Sequence, residues 1–135
     1  MDWTESGGSK GIILVVDDQP LILVLVQAIL DGVGLDIVPA DHPGQAVRLA
    51  SELRDRIRLL ITDLNLGSMS GEDLAGKVLE HCPGLRVLYM SGDRSDDLHN
   101  SAAVRQDFVR KPFSPAELTR RVVALLANQP EHYTS

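Results

Sequence analysis

A chain of 135 residues with 44% hydrophobic and 24% charged side chains can bury one core and has the balance of a water-soluble globular domain. Its formal net charge of −6 argues against a broad, direct nucleic-acid footprint, which needs a basic surface, though it leaves room for a small basic patch. Cys82 is the only cysteine, which excludes an intrachain disulfide and a cysteine-built zinc site and fits a reducing, cytoplasmic setting.

Residues 1–10 are polar and carry Asp2 and Glu5 without an apolar stretch, so they do not read as a secretory signal. Gly7, Gly8 and Ser9 make them a flexible leader. The most apolar window, 12–30, is broken by Asp17, Asp18, Gln19 and Pro20, so no membrane insertion is expected.

Residues 12–16, all β-branched or leucine, predict a first strand buried on both faces. Asp17 and Asp18 end it, with Asp18 placed to cap the next helix and Pro20 suited to its first turn. That helix extends to about Leu30, where Gly32 and Gly34 stop it. Ile22, Leu25, Val26 and Ile29 follow helical spacing and are expected to face the sheet, leaving Leu21, Leu23 and Val24 as apolar residues on the outer side. Residues 35–39 predict a second strand, closed by proline and therefore at a sheet edge.

A second helix over 43–53 would turn Ala46, Leu49, Ala50 and Leu53 inward. Leu59, Leu60 and Ile61 form a third strand that stops at Asp63. A third helix over 71–81 carries Leu74, Val78 and Leu79 and closes at Pro83-Gly84. The fourth strand, 85–90, ends at Ser91-Gly92, and residues 93–104 are only weakly helical. A short fifth strand, 107–110, precedes Lys111-Pro112-Phe113. Ser114 and Glu117 form a capping box for a last helix whose core face is Leu118, Val122, Leu125 and Leu126. Residues 128–135 read as a flexible tail. The alternation predicts one α/β domain over 11–127, with a right-handed, doubly wound parallel sheet.

In such a sheet the carboxyl ends of the strands share one edge, at the crevice where strand order reverses. Asp17 and Asp18, Asp63, Ser91 and Lys111 each follow a predicted strand. Singly these residues are a cap, a turn and a solvated lysine; together they describe a site. Converging carboxylates repel by roughly 1–4 kcal/mol per pair at surface-like dielectrics. A hard divalent cation such as Mg2+, with its preference for oxygen ligands, relieves that repulsion. A carboxylate nucleophile beside a cation, a lysine and a hydroxyl suits phosphoryl transfer, in which catalysis is largely positioning and charge stabilisation.

With Val15-Val16-Asp17-Asp18, Ile61-Thr62-Asp63, Met90-Ser91-Gly92 and Val109-Arg110-Lys111-Pro112-Phe113, the chain resembles the receiver domain of two-component response regulators over about residues 11–127. The resemblance implies a flavodoxin-like fold with strand order 2-1-3-4-5. It also implies that Asp63 takes a phosphoryl group from a histidine kinase or histidine phosphotransfer protein. By the same resemblance Asp17, Asp18, Asp63 and the main-chain carbonyl of Asn65 would hold Mg2+ or Mn2+, and Ser91 and Lys111 would contact the phosphoryl oxygens. Ser91 and Phe108 would form the switch, and Lys111-Pro112 a cis peptide. Gly67-Ser68 replaces the proline common in the loop after the phosphoacceptor, which implies a more mobile loop.

Three other readings compete. A receiver-fold interaction module acting without phosphorylation would have lost a site residue, and none is missing. A phosphatase using an aspartyl-phosphate intermediate would carry an Asp-x-Asp nucleophile motif after the first strand, where Val16-Asp17-Asp18-Gln19 stands. A flavodoxin-like redox protein would carry a Ser/Thr/Gly phosphate loop there, and Asp17-Asp18 would repel that phosphate. Whether the domain stands free or belongs to a hybrid histidine kinase is open in the sequence. Leu21, Leu23 and Val24 are expected to dock the kinase or phosphotransfer partner, with a weak phosphorylation-dependent dimer as the other use.

Overall fold

All five residues of β1 (Ile12–Val16) are buried, and the domain is arranged about them. The computed structural model describes residues 11–92 and 107–127. The order is β1, α1 (Pro20–Ile29), β2 (Asp36–Ala40), α2 (Pro43–Leu53), a 3-10 turn (Arg54–Arg56), β3 (Ile57–Asp63), α3 (Gly71–His81), β4 (Arg86–Ser91), β5 (Phe108–Arg110) and α4 (Pro115–Ala127). The strands pair in parallel in the order β2-β1-β3-β4-β5. This is the five-stranded, doubly wound α/β sheet expected from the sequence. The leader, the tail and the weakly helical 93–104 stretch lie outside the described residues.

Strand alternation builds two cores. Leu14, Val16 and Leu60 point to the layer of α2 and α3, where they meet Ala46, Ala50, Leu74 and Val78. Ile13, Val15, Leu59 and Ile61 point to the layer of α1 and α4, against Val26, Leu30, Leu118 and Val122. Each fully buried leucine, isoleucine or valine contributes about 1.5–3 kcal/mol relative to exposure. Among the described residues β2 pairs only with β1, and it contains Pro39, whose missing N–H an edge strand tolerates.

The expected orientation of α1 is corrected. Its buried residues are Leu23 and Val26, continued by Leu30 just past its end, with Ile22 and Ile29 partly covered. Leu23 is 7% exposed and belongs to the core, not to an outer patch, whereas Leu25, assigned to the core stripe, is 43% exposed. Residues 21–26 are all apolar, so two stripes about one residue step apart satisfy the same periodicity. Packing against the sheet and α4 selects Leu23, Val26 and Leu30.

Capping also differs from expectation. Gln19, not Asp18, is the N-cap residue of α1, and its side chain makes no capping bond. The Gln19 N–H instead donates to Asp17 Oδ1 at 2.8 Å. The α2 cap, unforeseen, is His42, whose Nδ1 accepts from the Gln45 N–H at 3.2 Å. Ser114 caps α4 as expected, its Oγ accepting from the Glu117 N–H at 3.0 Å.

The ladders run one residue beyond the strands on the site side. Asp17 N–H donates to Ala40 O (3.2 Å), Leu64 N–H to Met90 O (2.9 Å) and Lys111 N–H to Ser91 O (2.8 Å). These bonds hold the residues after β1, β3 and β5 in register with the sheet. Among the described residues, no helix is long and apolar enough to cross a membrane.

Candidate functional site

Asp17 follows β1, Asp63 and Ser91 end β3 and β4, and Lys111 follows β5, so the sheet delivers four side chains to one edge. Lys111 Nζ donates to Asp17 Oδ2 at 2.8 Å and to Asp63 Oδ2 at 3.2 Å. All three groups are nearly enclosed, with side-chain exposures of 11% for Lys111, 0% for Asp17 and 11% for Asp63. The other Asp63 oxygen, Oδ1, accepts from the Asn65 N–H at 3.4 Å.

The lysine does not neutralise the site. Burial raises the Asp63 pKa above the ordinary carboxyl value of 3.8; Lys111 opposes the rise and the Asp17 charge adds to it. For Lys111, burial alone would lower the pKa, yet its bond to Asp17 and the charges of Asp63 and Asp17 lift it above 10.5. A cation is thus held beside a carboxyl group that gives up its proton less readily than a free aspartate.

Asp17, Asp18 and Asp63 can each offer a carboxylate oxygen, and these atoms lie within 4.8 Å of one another. Hard oxygen donors at that spacing, in surplus over the single lysine, fit a divalent cation. Asp18 is exposed and faces an open cleft of about 510 Å³ lined also by Asp63, Asn65, Gly67 and Lys111. Ser91 is fully buried, and among the described residues its Oγ has no hydrogen-bond partner. A buried hydroxyl without a partner is costly, so a group that accepts from it would relieve that cost.

The loop after Asp63 is closed by several bonds. Asn65 and Ser70 form a bridge, Leu66 N–H donates to Met69 O at 3.1 Å, and Gly67 N–H donates to Asn65 Oδ1 at 3.0 Å. Gly67 sits at φ 84°, where proline cannot, and its N–H is a donor proline lacks. The loop thus has its own hydrogen-bonded conformation without the proline. Gln19, through its bond to Asp17, is a site residue the sequence reading missed; only its place after two aspartates pointed to it.

The Lys111–Pro112 peptide is cis. Phe108 is half-buried, packed against the α2/α3 core, and paired in register with Tyr89. Of the outer α1 residues, Leu21 is 74% and Val24 63% exposed, and Leu25 joins them in place of Leu23. An apolar groove of about 280 Å³, lined by Ile22, Leu25, Pro112 and Phe113, connects this helix to Lys111.

The comparisons with known proteins agree with this geometry. A family model for the response regulator receiver domain matches residues 13–123. The chain is 35% identical over 116 residues to the DNA-binding response regulator MtrA of Mycolicibacterium smegmatis, covering 84% of this chain and 50% of MtrA. To the transcriptional regulatory protein SrrA of Staphylococcus aureus it is 32% identical over 115 residues, covering 84% of this chain and 47% of SrrA. The chain thus spans about half the length of the curated relatives it matches. Among solved structures, a CheY-like response regulator receiver domain protein from Methanospirillum hungatei JF-1 has a TM-score of 0.76 at 25% identity, over 92% of this chain and 99% of that one.

Proposed function

The chain belongs to the response regulator receiver family, which acts as phosphoacceptor in two-component signalling, and on that premise we propose that Asp63 is the residue that takes the phosphoryl group. The observation that carries the assignment is Lys111 Nζ bonded at once to Asp17 Oδ2 and Asp63 Oδ2, in a cleft where three carboxylates converge.

The donor is a phosphohistidine on a histidine kinase or histidine phosphotransfer protein. An Asp63 oxygen bonds to phosphorus as the donor's P–N bond breaks; the electron pair leaves with the ring nitrogen, which takes a proton from water. Asp17, Asp18, Asp63 and the Asn65 carbonyl would hold Mg2+ or Mn2+. When bound, that ion supplies positive charge to both the carboxylates and the phosphoryl oxygens. Lys111 holds the nucleophile between its bonds and then pairs with the incoming oxygens. Ser91 gives its unpartnered hydroxyl to one of them, and its displacement lets Phe108 turn. A Phe108→Ala variant whose partner binding stayed equally phosphorylation-dependent would remove the aromatic from this switch.

Partner recognition falls to Leu21, Val24 and Leu25 together with the groove leading to Lys111. An amphipathic helix carrying the phosphohistidine fits an apolar strip that ends at the site. Burying three such side chains contributes about 4–6 kcal/mol before association costs. The same strip could support a weak phosphorylation-dependent dimer. The charge of −6 favours protein over direct nucleic-acid contact, and the reaction belongs in the cytoplasm, where nucleotide-fed kinases act. Family membership and the complete acidic cleft favour this reading over a phosphatase or a module acting without phosphorylation. The test is phosphoryl uptake from acetyl phosphate with Mg2+: one group on the wild-type chain and none on Asp63→Asn, whereas full labelling of the variant would sink the assignment.

A further inference from the structure

The first residue of α3, Gly71, lies directly on the main chain of Asp63. A Cβ built on Gly71 would run into the Asp63 carbonyl oxygen and stand 3.0 Å from its carbonyl carbon and 3.1 Å from Leu64 Cα. All three are backbone atoms of the segment that carries the candidate phosphoacceptor, so no side chain could swing away to make room. Gly71 has no positive φ, and space, not backbone conformation, is what demands glycine here. Its N–H donates to Leu64 O at 2.7 Å, which ties the helix start to the same segment.

A second group grips that segment. Thr62 is fully buried, and its Oγ1 donates to the Asp63 carbonyl oxygen at 3.0 Å. From the sheet side, Leu64 N–H is bonded to Met90 O. The peptide after Asp63 is therefore fixed by the helix start, by a hydroxyl and by β4.

We propose that Gly71 is a positioning residue for phosphoryl transfer: by lacking a side chain it lets α3 bear on the Asp63 peptide, with the Thr62 hydroxyl holding the same carbonyl. The proposal rests on Asp63 being the phosphoacceptor. Its physical basis is that the 3.2 Å separation of Asp63 Oδ2 from Lys111 Nζ and the 4.8 Å carboxylate cluster are set by where the backbone at Asp63 stands. A displacement of about 1 Å at a reacting group can cost on the order of 10²-fold in rate.

The experiment compares phosphoryl uptake from acetyl phosphate, at saturating Mg2+ and at a temperature where circular dichroism shows each variant folded. Gly71→Ala is expected to be slower by about ten-fold or more. Gly76→Ala makes the same exchange on the same helix, where an added Cβ meets nothing within 4 Å, and should keep the wild-type rate. Val78→Ala hollows the buried face of α3 and should lower the melting temperature while leaving the rate of the folded protein unchanged. Thr62→Val should be several-fold slower, with Thr62→Ser restoring the rate. A wild-type rate in Gly71→Ala, or an equal loss in Val78→Ala, would overturn the proposal. Should Gly71→Ala fail to fold, the Thr62 pair decides, and a wild-type rate in Thr62→Val overturns it. Absence of uptake by the wild-type chain would instead remove Asp63 as phosphoacceptor and the proposal with it.

Discussion

Lys111 Nζ stands 3.2 Å from Asp63 Oδ2, and still the Asp63 carboxyl titrates above its ordinary range. Burial and the neighbouring Asp17 charge outweigh the lysine, so the ionised carboxylates of the cleft repel one another. A carboxyl whose folded pKa is raised favours the folded state when protonated, and that contribution is lost as pH rises from about 3.8 through the folded value. Lys111, also raised, stabilises the fold below 10.5 and loses that contribution as pH climbs through its folded value. Without divalent metal at neutral pH, Asp63→Asn should therefore melt a few degrees higher than wild type, by about 1 kcal/mol of relieved repulsion. The gap should close as pH falls towards the ordinary carboxyl range. Thermal melts across pH check this, and a lower-melting Asp63→Asn at pH 7 would contradict it.

Metal should reverse the sign of that strain. Mg2+ at 100 times its dissociation constant adds about 2.7 kcal/mol if it binds only the folded chain. The melting temperature of wild type should rise by several degrees. Asp18 is exposed, so Asp18→Ala should fold normally yet lose most of the rise. An equal rise in that variant would place the ion elsewhere.

Ser91 offers a test in which stability and activity move apart. Its Oγ is buried without a partner among the described residues, a state that costs about 1–3 kcal/mol. Ser91→Ala should therefore be neutral or stabilising by denaturant melt, while phosphoryl uptake slows by about ten-fold or more for want of that donor. A marked loss of stability would show that the hydroxyl already has a structural partner.

Much of the site was legible because its residues end runs of apolar sequence. Asp63 stops Leu59-Leu60-Ile61, Asp17 stops a strand buried on both faces, and Lys111 follows a short strand with a proline behind it. What the sequence could not carry is rotation and through-space contact. Six consecutive apolar residues in α1 leave two stripes equally periodic, and only packing against Leu118 and Val122 buries Leu23 and exposes Leu25. Asp18 fits a capping pattern, yet it is the exposed carboxylate of the cleft. Gly71 meets Asp63 only because β3 turns back through a bonded loop into α3, and a glycine at a helix start gives no sign of that.

The corrected outer face of α1 makes its own prediction. Leu21→Lys with Val24→Glu spares Leu23 and Val26 and should leave folding and uptake from acetyl phosphate unchanged. Transfer from the cognate phosphohistidine protein should fall by about ten-fold or more, since losing the apolar contacts removes more than 1.4 kcal/mol. Normal transfer together with an unchanged sedimentation profile would leave the strip without a role in recognition.

The central claim is that the phosphoryl group rides on Asp63, and chemical mapping tests it most directly. An acyl phosphate is reduced by borohydride to an alcohol, so a phosphorylated aspartate becomes homoserine and an unmodified one does not. After acetyl phosphate, Mg2+ and reduction, peptide mass spectrometry should find homoserine at position 63 alone, and none when EDTA replaces Mg2+. Homoserine at position 17 or 18, or an intact Asp63 in a chain that has taken up phosphate, would contradict the account.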